Sequence, residues 1–174
     1  LTQAQADFVF APSVDEMYPP SQPNLTPFVD LFGVDHLSEG ARRPGFFRGV
    51  ATVVTKLLNI VQPQRVYFGQ KDGLQCIVVR RLIEDLNFNT QLVVADTVRE
   101  PDGLAMSSRN VYLTPTEREV APAVYRALCE LQALHANGEV HAEALRGAAM
   151  KVLDSEPLLS AEYVSLSSCA DGTE

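Results

Sequence analysis

Three segments of the chain combine residue types that suit phosphate chemistry. The first is Phe68-Gly69-Gln70-Lys71-Asp72-Gly73-Leu74-Gln75, an apolar run ended by glycine with helical periodicity resuming from Leu74. Backbone N–H groups at such a helix start attract anions. Lys71 adds a compact positive charge of the kind used on phosphates. Asp72 could cap the helix, and Gln75 lies one turn in. An ordinary strand-to-helix loop with a solvated lysine fits the same residues, because most such loops carry no chemistry. A P-loop is excluded, since GxxxxGK[ST] is absent. The second segment is Asp102-Gly103-Leu104-Ala105-Met106-Ser107-Ser108-Arg109-Asn110. Its hydroxyls and guanidinium match phosphate oxygens, which arginine binds in bidentate fashion. The plainer alternative is a polar loop, with Ser107 capping a turn and Arg109 on the surface. The third is Arg42-Arg43-Pro44-Gly45-Phe46-Phe47-Arg48-Gly49. Three arginines there either form a solvated face or meet an anion at the N-terminus of the helix that follows.

The elements that must hold these segments follow from apolar spacing. Phe47, Val50, Val53, Val54, Leu57, Leu58 and Val61 trace one face of a helix over Phe46–Gln62, and Pro63 stops it. Arg65–Phe68 is a short strand, Leu74–Leu86 a helix and Gln91–Ala95 a second strand. That order is a βαβ unit, and its continuous apolar strands imply a parallel sheet covered on both faces. Ligands of such sheets lie beyond the carboxyl ends of the strands, which selects Gly69–Gln75 and Asp96–Arg109. Upstream, Leu1–Ala6 reads as the tail of a helix and Phe8–Phe10 as a buried strand. Ser13–Asn24 is proline-rich loop, Thr26–Leu31 a strand and Gly33–Gly45 irregular. Arg99–Asn110 is expected to be a polar loop. Downstream, Thr114, Pro115 and Glu117 mark a helix start for a helix running to about Ala136. A second helix covers His141–Leu153 and a strand Glu162–Ser168. The fold class is α/β with a parallel sheet over residues 1–97, followed by a smaller α+β domain over residues 98–174.

Composition narrows the function classes. Apolar residues make up 46% of the 174 and charged residues 21%, the proportions of a folded protein. Lys+Arg is 14 against 22 for Asp+Glu, a net charge of −8. An acidic pI near 4.9 argues against nucleic-acid or anionic-membrane binding, which favours basic surfaces. No uncharged apolar run approaches the ~18 residues of a membrane span, and residues 1–20 do not read as a secretory signal. Three scattered cysteines fit reduced thiols in the cytoplasm better than a disulfide framework. The three histidines, His36, His135 and His141, read as surface residues with no metal-binding spacing, so no metal site is expected. Cys76 falls on the apolar face of its helix, and Met17-Tyr18-Pro19 reads as a packed loop anchor or a pocket lining.

The GxKDxxQ pattern of residues 69–75, Arg43-Pro44-Gly45 leading to Phe47-Arg48-Gly49-Val50, and residues 102–110, in this order and spacing, resemble the pantothenate synthetase (pantoate–β-alanine ligase) family across essentially the whole chain. The resemblance implies a Rossmann-like nucleotidyltransferase domain and a smaller C-terminal lid domain. It implies ATP with Mg2+, pantoate and β-alanine as small-molecule substrates, and a cytoplasmic homodimer. Pantoate's carboxylate would attack the α-phosphate of ATP, and β-alanine would then attack the resulting pantoyl adenylate. Gly69, Gln70, Lys71 and Asp72 match one ATP-binding segment of the family, and Met106, Ser107, Ser108 and Arg109 a second. Val98 matches a backbone contact to the nucleotide, Gln75 the pantoate glutamine, and Arg43 an arginine near the reacting groups. Gln70 stands where glutamate is common, and Phe46 where histidine is usual. The family's His-x-Gly-His motif and its upstream pantoate glutamine are absent from the chain. The chain is therefore expected to be a piece of a longer protein, inactive in adenylate formation on its own. A related nucleotidyltransferase with another acceptor, or an inert nucleotide-binding piece, are the alternatives.

Overall fold

The computed structural model describes residues 5–19 and 27–173. In chain order its elements are α1 (Val14–Met17), α2 (Ser38–Arg42), α3 (Phe46–Val61), β1 (Arg65–Gly69), α4 (Gly73–Asp85), β2 (Gln91–Ala95), α5 (Pro115–Val120), α6 (Ala123–Ala136) and α7 (Ala142–Asp154). Three short 3-10 turns cover Val34–His36, Gln70–Asp72 and Ser108–Tyr112.

The spacing of Phe47, Ala51, Val54 and Leu58 puts all four on the buried stripe of α3. Gln62 ends the helix in the left-handed region, at φ 48°, with its N–H donating to the Leu58 carbonyl, and Pro63 cannot extend it. α4 answers with Val78, Val79 and Leu82, and the two helices share one core with Val34. β1 and β2 pair in parallel, Val66 opposite Leu92 and Gly69 opposite Ala95. Parallel neighbours need a long crossover, and α4 is that crossover. Val66, Phe68 and Leu92 pack on the core of α3 and α4. Tyr67, on the other face, is 63% exposed. Of the two covered faces expected for the sheet, the described residues show one. The helices lie on one face, and no described element covers the other.

Several expected elements change for local reasons. Residues 8–10 form no strand and lie exposed. An apolar run becomes a strand only when another backbone accepts its hydrogen bonds, and no described segment does. The loop expected over Ser13–Asn24 contains α1, set by a capping box in which Ser13 and Glu16 exchange bonds. Residues 1–4 of the expected helix tail, and residues 20–24 of that loop, lie outside the described residues. So does Thr26. Residues 27–31 are not a strand either. A side chain anchors them instead: the Val29 N–H donates to Thr52 Oγ1 (3.1 Å), and that hydroxyl donates to the Val29 carbonyl (3.3 Å). The stretch expected to be irregular contains α2.

Downstream, the single helix expected to run from Pro115 to Ala136 is two. Pro122 has no N–H, and its ring opposes continuing the α5 ladder, so α6 starts afresh at Ala123. α6 and α7 pack against each other, and Ala123, Ala127, Leu145 and Ala149 on them are buried. The strand expected over Glu162–Ser168 is absent. That segment is fastened by side chains: Arg42 donates to the Glu162 carboxylate and to its carbonyl, both at 2.9 Å, and stacks over the Tyr163 ring at 4.8 Å. Among the described residues, no helix is long and apolar enough to cross a membrane.

Phe47 is the bulkiest fully buried side chain of the core, 1% exposed. Phe47→Ala should lower stability by about 3–5 kcal/mol. Urea denaturation checks this. A loss under about 1 kcal/mol would show that α3 and α4 are not clamped through this ring.

Candidate functional site

The in-register pairing that sets Gly69 opposite Ala95 brings the two downstream segments to one edge of the sheet. After Gly69 the chain makes the 3-10 turn Gln70–Asp72 and enters α4 at Gly73. The Cys76 thiol, on the first turn of α4, donates to the Gly69 carbonyl (3.3 Å) and ties the helix start to the strand end. Burial, reinforced by the nearby Asp72 carboxylate, pushes that thiol above its ordinary value. α4 has 13 residues, long enough for its N-terminal amides to favour an anion. Asp72 occupies the cap position, but its side chain makes no capping bond; the capping role expected of it is not realised. Its carboxylate sits instead 3.8 Å from the Lys71 ammonium, a loose pair with the lysine side chain 40% exposed. Gln70, Lys71 and Asp72 line a cavity of about 520 Å³, with Arg80, Tyr163 and Ser165 also on its wall. Gln75 is half-buried on α4.

The second segment is better ordered than a polar loop. Residues 98–106 fold back as a small hairpin. The Met106 N–H donates to the Val98 carbonyl (2.9 Å), the Glu100 N–H donates to the Leu104 carbonyl (2.8 Å), and Arg99 bridges Ala105. Gly103 turns the hairpin at φ +94°, a conformation that favours glycine. Asp102 accepts from Arg118 at 2.5 Å and from the Leu104 N–H at 3.2 Å. The Arg118 guanidinium holds its carboxyl below the usual range. Ser107 Oγ then accepts from the Arg109 N–H (3.2 Å), starting the turn Ser108–Tyr112, and Asn110 donates to the Ala105 carbonyl (3.1 Å). Met106, Ser107 and Ser108 line a second cavity of about 620 Å³ with Glu100 and Arg118. Arg109 is exposed beside it.

The arginines around the start of α3 are paired, not simply solvated. Arg43 bonds Glu39 (3.1 Å) and lies over the Phe46 ring at 3.4 Å, and Arg48 bonds Asp30 (2.7 Å). Upstream, Met17 is buried, and Lys56 donates to its carbonyl while covering the Tyr18 ring at 4.5 Å. That is the packing of a loop anchor. Among the described residues, no group of three or more His, Cys, Asp or Glu is placed to hold a metal ion.

The sequence model of the family described as pantoate–β-alanine ligase matches residues 1–174. The chain belongs to this family. It is similar to the pantothenate synthetase of Chloroflexus aggregans, 52% identical over 166 residues, covering 95% of this chain and 59% of that protein. The pantothenate synthetase of Roseiflexus sp. is 52% identical over 171 residues, covering 98% and 60%. Among solved structures, the pantothenate synthetase of Thermus thermophilus superposes with a TM-score of 0.90 at 44% identity, over 98% of this chain and 60% of that one. The pantoate–β-alanine ligase of Francisella tularensis, complexed with β-γ ATP and β-alanine, superposes with a TM-score of 0.69 at 32% identity, over 87% and 55%. The chain thus spans about 60% of the length of the first two relatives. The α/β fold with a parallel sheet is the one these family members share.

Set against the sequence expectations, the structure gathers Gly69, Gln70, Lys71 and Asp72 at the end of β1. Val98 and residues 106–109 stand at the base of the hairpin after β2. Arg43 faces Glu39 and Phe46. Sequence reasoning missed Arg99, Arg118 and Tyr125, which hold the hairpin. The Asp102-Gly103 pair was the signal for it, being a strong short-range mark of a hairpin turn.

The thiolate is the nucleophile in alkylation. At pH 8, Cys169, exposed, should react with iodoacetamide well before Cys76, buried and pushed up. Peptide mass spectrometry over time reads the order. Equal rates would contradict the packing of α4 against Gly69.

Proposed function

We propose that the chain is the ATP-handling part of a pantoate–β-alanine ligase. The observation that carries this is the shared sheet edge: the parallel register of β1 and β2 ends both strands together, and each is followed by a phosphate-suited segment. Membership of the family, and the ATP and β-alanine bound to the Francisella relative, support the same reading. In it, residues 1–97 belong to the nucleotide-binding domain and residues 98–174 begin a smaller lid domain, within a cytoplasmic homodimer.

The proposed chemistry follows from the side chains. Pantoate's carboxylate oxygen attacks the α-phosphorus of ATP, and the bond to the bridging oxygen breaks, releasing pyrophosphate. Lys71, Ser107, Ser108 and Arg109 offset the charge that gathers on the departing phosphates, the electrostatic stabilisation that is often the largest catalytic contribution. Gly69, Gln70 and Asp72 shape the phosphate turn, while Val98 and Met106 border the nucleotide. Gln75 orients the pantoate carboxylate, a proximity effect. Arg43 lies near the reacting groups. The amine of β-alanine then attacks the acyl carbon and AMP leaves, with a proton lost from nitrogen. No covalent enzyme intermediate is required. Magnesium would arrive on the phosphates of ATP, whose oxygens suit that hard cation.

Single-turnover kinetics of each half-reaction tests this in a protein of the relatives' length carrying this sequence. Lys71→Met should slow adenylate formation by about 10²–10³-fold and slow β-alanine attack on preformed adenylate far less, because that step releases no pyrophosphate. Gln75→Ala should weaken pantoate use by roughly 1.5–3 kcal/mol, the scale of a hydrogen bond to a charged group, with little change for ATP. Equal slowing of both half-reactions by Lys71→Met would remove Lys71 from the leaving phosphates. Absence of pantoate-dependent pyrophosphate exchange in the parent protein would overturn the function itself.

A further inference from the structure

The hairpin after β2 carries residues 106–109 on one bridged pair, Arg99 with Ala105. A ladder this short does not hold its own position. What holds it is a ring on α6. The Arg99 guanidinium lies 4.1 Å from the centroid of the Tyr125 ring. The same guanidinium donates to the Gly103 carbonyl at 3.1 Å. Gly103 packs so closely on the ring that a Cβ there would stand 2.1 Å from Tyr125 Cδ1 and 2.9 Å from Cε1. The ring therefore touches the hairpin both at its turn and at its bridged pair. Arg118 adds a second tether from α5 through Asp102.

We propose that Tyr125 is a positioning residue for residues 106–109: its ring, gripped by Arg99 and Gly103, sets where the Ser107, Ser108 and Arg109 side chains meet the nucleotide. The contacts are made by ring atoms, so the ring and not the hydroxyl carries the role. Cation–π attraction at partly buried sites is strong enough to hold a guanidinium in place, and the positive φ of Gly103 bars the side chain that would displace the ring. Residues 106–109 follow a hairpin that is tied to α6 through Tyr125 and to α5 through Arg118.

This inference rests on the proposed role of residues 106–109 at the ATP phosphates, and the test separates the two. Steady-state and single-turnover kinetics are measured on a protein of the relatives' length carrying this sequence, with circular dichroism and thermal melting of every variant. Tyr125→Leu should slow adenylate formation by about 10–10²-fold, the scale of an ångström-sized misplacement, and raise KM for ATP, while KM for pantoate stays within about two-fold. Tyr125→Phe should restore parent values. Gly103→Ala displaces the ring without altering it, and should reproduce the Tyr125→Leu signature. A role in folding alone would lower melting temperature and the active fraction while leaving both KM values unchanged; that result, or an inactive Tyr125→Phe, overturns the proposal. If Tyr125→Leu is silent while Arg109→Ala abolishes adenylate formation, Tyr125 is not the positioning residue and the phosphate role stands. If Arg109→Ala is silent as well, the phosphate role itself falls.

Discussion

The parallel pairing of β1 with β2 is the constraint on which the rest of the site depends. Two parallel strands cannot be joined by a tight turn, so the chain must cross back through α4. That crossover has to be apolar on the side facing the strands and α3. Val78, Val79 and Leu82 meet this demand, buried against Phe47, Ala51, Val54 and Leu58. Once the crossover is packed, the register is fixed with Gly69 opposite Ala95, and the two outgoing segments have no choice of edge. Slipping one strand by a residue would turn Val66 and Phe68 to the uncovered face.

From that edge the two segments are held by different means. The Gly69–Asp72 turn is braced locally, by the start of α4 and by the Cys76 thiol on the Gly69 carbonyl. The hairpin of residues 98–106 is braced from a distance, by Tyr125 of α6 and Arg118 of α5. The arrangement leaves one group of phosphate-suited side chains at the end of β1 and the other beside a hairpin held from α5 and α6. Arg42, gripping Glu162 and Tyr163, and Arg80, donating to the Cys169 carbonyl at 3.1 Å, fasten the last described stretch over the Lys71 cavity.

What could be read in the sequence was what local forces decide. The seven apolar positions between Phe47 and Val61 specify α3 whatever surrounds it. Residues 65–69 and 91–95, flanked by Pro63, Gly69 and the turn at Asn87, were legible as strands for the same reason. Phe8–Phe10 and Glu162–Ser168 have equally strand-like composition, yet a strand is a relation between two backbones, and the described residues give them no partner. The cap at Thr114 marks where α5 begins but not how far it runs, and the break at Pro122 divides α5 from α6. At the site, residue types pointed to Lys71 and to Ser107, Ser108 and Arg109. The residues that position them were not legible, because Arg99 meets Tyr125, and Arg42 meets Glu162, only after folding brings distant parts of the chain together. Likewise Arg43 stacks on the Phe46 ring, a contact that residue types alone do not announce.

Under the proposed function the two segments serve one triphosphate. Hydrogen–deuterium exchange on a protein of the relatives' length carrying this sequence tests it directly, with and without a non-hydrolysable ATP analogue. Amides 69–73 and 106–110 should both gain protection at the same nucleotide concentration, while the turn at residues 137–140 is unchanged. Protection confined to one of the two segments, or appearing at clearly different concentrations, would contradict it.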